Sequence, residues 1–391
     1  MSKYDIAIVG AGPAGSSTAI RLAKAGFKVL LIEQKKFPRQ KLCGEFISPE
    51  CLTHFDELEV SPAMLSAGGV DIEKTVFYSR GGRSIEIDSE WFGMGKPALG
   101  LSRAEMDLRL LERARASGVE VREETNLAGL LQHEGKVCGI RTRDRTGSEA
   151  EVGATITIDA TGRVRAAARR VDGRTARRGH PPSHVAFKAH LSGAEIAGNA
   201  CEIFGYSGGY GGCSNIENGL ANLCFIAAAA DVRNCGSDPE RVMREVVFGN
   251  KRAAKVLASA KAETEWLAVP IEKFGRGDAV PAPGLIAVGD SAAFIDPFTG
   301  SGMLMALESG KLAASAVIEH LPNGVEMISR AYAANYSAYF DRRLRFSGSL
   351  RSAAFVPLFA DATILVLSMS SALQRYVARA TRRSGDAISK V

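Results

Sequence analysis

The feature that most constrains this 391-residue chain lies within its first 33 residues. A short apolar run, Asp5-Ile6-Ala7-Ile8-Val9, leads at once into Gly10-Ala11-Gly12-Pro13-Ala14-Gly15, and a second apolar run at residues 29–32 ends in Glu33. Runs of this kind mark parallel strands covered on both faces. Between them, Ala19, Leu22 and Ala23 are spaced for a helix over residues 14–25, with Gly26 as its C-terminal cap. This is a βαβ unit, and its loop predicts a ligand. Gly10 permits the tight turn and Gly12 lets backbone approach a diphosphate. Gly15 allows helix and strand to pack closely, and Pro13 and Ala14 open a helix whose N-terminus faces the phosphates. Glu33 stands where a carboxylate accepts both ribose hydroxyls; it disfavours a 2′-phosphate, so this loop does not read as an NADP site.

A second chemical element lies about 280 residues downstream. The strand predicted at 284–288 runs into Gly289 and Asp290, and the later turn containing Pro297, Gly300, Ser301 and Gly302 opens a helix at Met303. Asp290 at a strand end suits a polyol hydroxyl such as a ribityl chain. The helix N-terminus suits the partly negative edge of a reduced flavin ring. The two elements together predict FAD.

Between and after them the pattern alternates. Antiparallel strands are expected over 70–88, a helix over 101–116, and strands at 119–121, 137–142 and 154–160. Strands with glycine-rich turns follow over 184–230, then helices over 239–262 and 301–320 and a helical region from 331 onward. The fold class is α/β: a discontinuous Rossmann-like FAD-binding domain (1–69, 97–170 and 276–330) carries an inserted, mostly antiparallel substrate domain (70–96 and 171–275). A helical, basic C-terminal region, 331–391, completes the chain.

Composition excludes several classes. With 46% hydrophobic and 24% charged residues the chain is globular, and its 41 glycines follow no period. A net charge of +6 does not call for a nucleic-acid partner. The charge is unevenly placed, however: residues 342–391 hold nine basic and two acidic side chains, and residues 163–178 hold seven arginines and one aspartate. Seven scattered cysteines without a Cys-x-x-Cys pair suggest neither a disulfide framework nor a metal site, and fit a reducing cytoplasm. The N-terminus lacks the order of a signal peptide, and the most apolar stretch, 353–369, is broken by Pro357 and Asp361. That stretch, bracketed by arginines, is a candidate for peripheral contact with the inner membrane surface, or for a core-packed helix pair.

Several motifs resemble the FAD-binding fold of p-hydroxybenzoate hydroxylase: Gly10 to Gly15 with Glu33, Ser-Arg103-Ala-Glu-Met-Asp107, Asp159-Ala-Thr-Gly-Arg163, and Gly289-Asp290. Within that superfamily, Phe37-Pro38-Arg39-Gln40-Lys41-Leu42-Cys43-Gly44-Glu45 and Thr299-Gly300-Ser301-Gly302 are most similar to the geranylgeranyl reductase branch, over roughly residues 1–325. The Pro-x-x-Tyr-x-Trp-x-Phe-Pro stretch of those reductases is replaced by a glycine-rich segment, 204–214, without Trp; the Trp-x-Trp-x-Ile-Pro stretch of flavin-dependent halogenases is also absent.

The resemblance implies that Arg39 neutralises the diphosphate, that Arg103 lies along the ribityl or phosphate path, and that Cys43 sits beside the flavin ring. Cys43, relayed by Glu45, is then a candidate proton donor, and Tyr206, Tyr210 and Phe225 are candidate pocket residues. The expected activity is FAD-dependent reduction of a C=C bond in a lipophilic isoprenoid- or polyketide-like substrate. NAD(P)H is the expected donor, directly or through a separate flavin reductase, since no second Gly-x-Gly-x-x-G is present. The alternatives are a monooxygenase or halogenase-like enzyme, because one reduced flavin serves either chemistry, and a non-catalytic FAD-containing binding protein.

Overall fold

The computed structural model describes residues 2–92, 95–171, 182–271, 275–294, 300–354 and 375; side chains are described for all of these except 2, 342, 343 and 345–354. Two large sheets organise it. The first has seven strands, in the order Glu120–Arg122, Val29–Ile32, Ser2–Val9, Glu149–Asp159, Lys136–Arg143, Asn126–His133, with Leu285–Ala287 pairing the C-terminal half of Glu149–Asp159. Its centre is parallel: Ile6 pairs with Val29 on one side and Ile156 on the other. Both faces of Ser2–Val9 are covered, as its unbroken apolar run requires. Ile6 and Ile8 pack into one core with helices Pro13–Lys24, Arg103–Ala116 and Gly302–His320, while Ala7 and Val9 belong to another beneath Ala167.

The second sheet has eight strands, running Lys261–Ala262, His184–Ser192, Ala221–Ala228, Gly209–Asn215, Ala200–Tyr206, Lys74–Tyr78, Ser84–Asp88, with Leu267–Ile271 also pairing His184–Ser192. All its pairings are antiparallel except Ala200–Tyr206 with Lys74–Tyr78. One face carries Phe187, Ala189, Leu191, Phe204, Leu223 and Phe225, which form a core with the short helices beyond residue 229. The opposite face turns toward the loop that follows Val29–Ile32, through the contacts described below.

Over residues 239–262 the expected helical stretch is broken. Helices Pro239–Glu245 and Lys251–Val256 flank a 3-10 turn, Val247–Gly249, and Lys261–Ala262 is an edge strand beside Leu191 and Ser192. Side-chain caps explain the break. Asp238 accepts from the Glu240 amide and Asn250 from those of Arg252 and Ala253, so the sequence starts two helices. Asn250 also donates to the carbonyls of Ser79 and Gly205, anchoring the second start to the sheet. The C-terminal helix, Val325–Ala354, begins earlier than expected and docks by Tyr332, whose hydroxyl donates to the Ala287 carbonyl at 2.6 Å. Most of the basic C-terminal segment lies outside the described residues; Arg375 sits over the Trp91 ring, 5.5 Å from its centroid. Among the described residues no helix is long and apolar enough to cross a membrane.

Candidate functional site

The first glycine turn is shaped by contact on two sides and open on the third. A Cβ at Gly10 would lie 2.5 Å from the Ala160 carbonyl oxygen, and one at Gly15 only 1.9 Å from that of Gly10. Gly10 also has φ +103°, a backbone that side chains rarely adopt. At Gly12 the nearest atoms to such a Cβ are the guanidinium tips of Arg103 and Arg39, 3.8 and 3.9 Å away. The helix starts at Pro13, so the amides of Ala14 and Gly15 at its first turn join two cations around one small space.

Those cations are held by buried acids. Asp107, fully buried, takes both the Nε and a terminal nitrogen of Arg103 at 2.8 Å, and Arg39 at 3.1 Å. Burial opposes the charge on Arg103, but Asp107, seconded by Cys43, outweighs it and holds the pKa above its ordinary value. Glu33 accepts the Ala11 amide at 3.0 Å and that of Lys35 at 3.1 Å, with Arg39 3.6 Å away. The Arg39 Nε is buried and has no hydrogen-bond partner. An orphaned cationic donor, an open glycine face and a helix N-terminus fit a diphosphate.

The second element lies at the end of Leu285–Ala287, where the Gly289 amide donates to Ser309 Oγ at 2.8 Å. Asp159, fully buried, organises this turn. It accepts from Thr161, from the amides of Ala167 and Ala168, and from Ser291 Oγ, so the residues on both sides of Asp290 are pinned. Desolvation raises the Asp290 carboxyl above the usual carboxylate range, opposed by Arg163, Arg103 and Lys41. Three cations from three segments therefore act on one acid. Gly300, Ser301, Gly302 and Met303 lead into the long helix, with Ser301 as its N-cap; Pro297 lies outside the described residues.

The third element is the Cys43-Gly44-Glu45 turn. Cys43 is half-buried; its Sγ accepts the Glu45 amide at 3.4 Å, and its carbonyl accepts Asn222 Nδ2 at 3.1 Å. Glu45 is fully buried at φ +54°, and its carboxylate gathers the Arg103 amide (2.8 Å), Lys188 Nζ (2.8 Å) and His190 Nε2 (2.7 Å). Lys188 also donates to Gln40 Oε1 at 2.7 Å. Cys224, opposite Lys188 in the sheet, has its thiol pushed above its usual range by desolvation, with Cys43 adding to the effect.

Of the three aromatic candidates, only Tyr210 is on this side, packed with Leu42, Ile226 and Phe294. Tyr206 and Phe225 point the other way and belong to the core. Tyr206 is 7% exposed and donates to the Ile226 carbonyl; Phe225 is fully buried between Phe187 and Trp266, ring centroids 5.1 and 5.8 Å away. The cause is the two-residue period of strands: Phe225 and Cys224 are neighbours and therefore face opposite sides. Lys188 and His190 were not anticipated. Their signal was available, as a lysine and a histidine at alternate positions among Val185, Ala186, Phe187, Ala189 and Leu191, where a buried polar group demands a partner.

Comparison with known proteins accounts for the arrangement. The family profile described as FAD binding domain matches residues 3–346. The chain belongs to this FAD-binding-domain family. Among its relatives is a digeranylgeranylglycerophospholipid reductase of Methanosarcina mazei, 31% identical over 329 residues, 82% of this chain and 77% of the relative. A menaquinone reductase of Mycolicibacterium smegmatis is 25% identical over 390 residues, 97% of this chain and 91% of the relative. In fold, the flavoprotein resembles the flavin-dependent brominase Bmp2, with a TM-score of 0.80 at 21% identity, covering 97% of this chain and 94% of that one. It is thus a FAD-dependent oxidoreductase whose named relatives are reductases.

Proposed function

We propose that this flavoprotein reduces a C=C bond of a lipophilic, isoprenoid-like substrate, with NAD(P)H as the source of electrons. The observation that carries the reading is the 31% identity to a geranylgeranyl-type lipid reductase across 82% of the chain. FAD, when bound, supplies the hydride. The chain's residues have separate tasks. The turn amides, Arg39 and Arg103 would hold the diphosphate, and Glu33 would hold the adenosine ribose. Asp290 would take a ribityl hydroxyl, and the helix N-terminus at Met303 would favour the electron-rich part of the ring. Cys43 or water would deliver the proton that the second alkene carbon requires. The Glu45 amide donates to the Cys43 sulfur at 3.4 Å and so fixes its place in the turn.

A second reading, oxygen activation, is favoured by the fold likeness to a brominase. The two separate cleanly under anaerobic conditions. Protein reduced by NADPH or dithionite is mixed with a geranylgeranyl lipid and, separately, with O₂. Re-oxidation by the lipid supports the reductase. Re-oxidation by O₂ alone, with a hydroxylated or halogenated product, overturns it, and a flavin that never turns over sinks both.

A further inference from the structure

We propose that Lys188 and His190 are positioning residues for the Cys43 turn. Through the Glu45 carboxylate they hold that turn, and the first amide of helix Arg103–Ala116, against the second sheet. The proposal rests on the reading above, in which Cys43 acts beside the flavin.

Glu45 is a non-glycine residue in the left-handed region, a conformation that persists only where its surroundings over-determine it. Here they do. Its amide is given to Cys43, and its two carboxylate oxygens collect Arg103 from one segment and Lys188 and His190 from another more than 140 residues away. Lys188 is 1% exposed and His190 4%, on a strand whose other face is wholly apolar where it joins the core through Phe187, Ala189 and Leu191. Apolar side chains at 188 and 190 would avoid desolvating an ammonium and a carboxylate, and replacing buried ion clusters by apolar groups is often neutral or stabilising. What apolar side chains lack is directionality. Three hydrogen bonds of 2.7–2.8 Å converge on one carboxylate and fix its place, and the Asn222 amide grips the Cys43 carbonyl from the same sheet face. Neither Lys188 nor His190 needs to touch substrate; both act through Glu45.

The test uses FAD-loaded full-length protein and four variants: Lys188→Met, Lys188→Arg, His190→Gln and the double variant Glu45→Gln/Lys188→Met. Lys188→Met is expected to speed hydrogen exchange in the 40–47 segment and at the Arg103 amide at least tenfold while exchange in Ser2–Val9 stays as in the parent. With a geranylgeranyl lipid, kcat falls at least tenfold and KM stays within about twofold. His190→Gln acts in the same direction, and Lys188→Arg recovers part of both losses. The double variant, which removes both charges, recovers the melting temperature but neither kcat nor protection of the turn. Recovery of all three would show that the lysine only balances charge and would overturn the proposal, as would a Lys188→Met variant with unchanged exchange. Should Lys188→Met not fold, Lys188→Arg and the double variant decide alone. Should the parent not reduce the lipid, the substrate reading fails while the exchange measurements still judge the positioning role.

Discussion

The Gly12 cradle and the Cys43 turn are both built from cations locked to buried carboxylates, yet they come together differently. The cradle draws on two helices and one loop: Gly10 to Gly15 at the start of Pro13–Lys24, Glu33 and Arg39 after Val29–Ile32, and Arg103 with Asp107 four residues on. The Cys43 turn needs Glu45 to meet Lys188, His190 and Asn222 from a different sheet. The cradle is therefore assembled among the loops and helices that cover the first sheet, while the Cys43 turn depends on contact with the second sheet.

The largest effect is expected where the cradle has no room. Gly15→Ala places a methyl 1.9 Å from a backbone oxygen, so the helix must shift away from the turn; the purified protein is expected to hold almost no flavin by its absorbance ratio. Retention of FAD by this variant would show that the turn is not the binding element.

Next come the two arginines, which the comparison sets apart. Arg103→Ala strips the fully buried Asp107 of its bidentate partner, and is expected to cost about 3 kcal/mol in denaturant unfolding. Arg39→Ala leaves that pair intact and removes the orphaned Nε, so the expected result is a normally folded apoprotein whose FAD titration is at least tenfold weaker. Equal stability losses in the two variants would erase the distinction between scaffold and ligand contact.

These contrasts follow how much could be read beforehand. The βαβ unit, its glycines and Glu33 lie in short windows whose periodicity reports local structure directly, Arg103 and Asp107 stand out only through a motif of the family the chain resembles, and the strand leading to Asp290 is a bare apolar run. The helical expectation over 239–262 failed because Asp238 and Asn250 act as caps, a signal carried by single residues inside an apolar pattern. The pocket assignment failed at Tyr206 and Phe225 because a one-residue change of register exchanges the faces of a strand, and only pairing with a neighbour fixes which face looks where. Lys188 and His190 could be flagged as polar residues in an apolar strand, but their partner, Glu45, is 143 residues from one and 145 from the other.

The two faces of the second sheet sharpen the same comparison at smaller scale. Tyr206→Phe deletes one buried hydrogen bond and is expected to cost about 1 kcal/mol of stability with KM unaltered. Tyr210→Ala, on the face toward Leu42 and Phe294, is expected to raise KM severalfold with kcat little changed. A KM effect from Tyr206→Phe would return that residue to the pocket.

The smallest effect concerns Asp290. Its carboxyl is raised in the folded protein, so the folded state holds the proton more tightly than the unfolded one, and this residue's contribution to apoprotein stability falls as pH rises from the ordinary carboxylate range through the raised value. At neutral pH, Asp290→Asn is expected to melt slightly higher than the parent as apoprotein while binding FAD more weakly. A lower melting temperature together with unaltered FAD affinity would mark Asp290 as a structural anion for Arg163, Arg103 and Lys41.

In the proposed reaction both the hydride and the proton end on carbon. The most direct measurement is mass analysis of a geranylgeranyl lipid after anaerobic incubation with the FAD-loaded protein and NADPH. The expected result is a gain of two hydrogens per reduced double bond, with one NADPH oxidised for each. An unaltered lipid, joined to an oxygenated or halogenated product once air is admitted with a suitable aromatic acceptor, would contradict it.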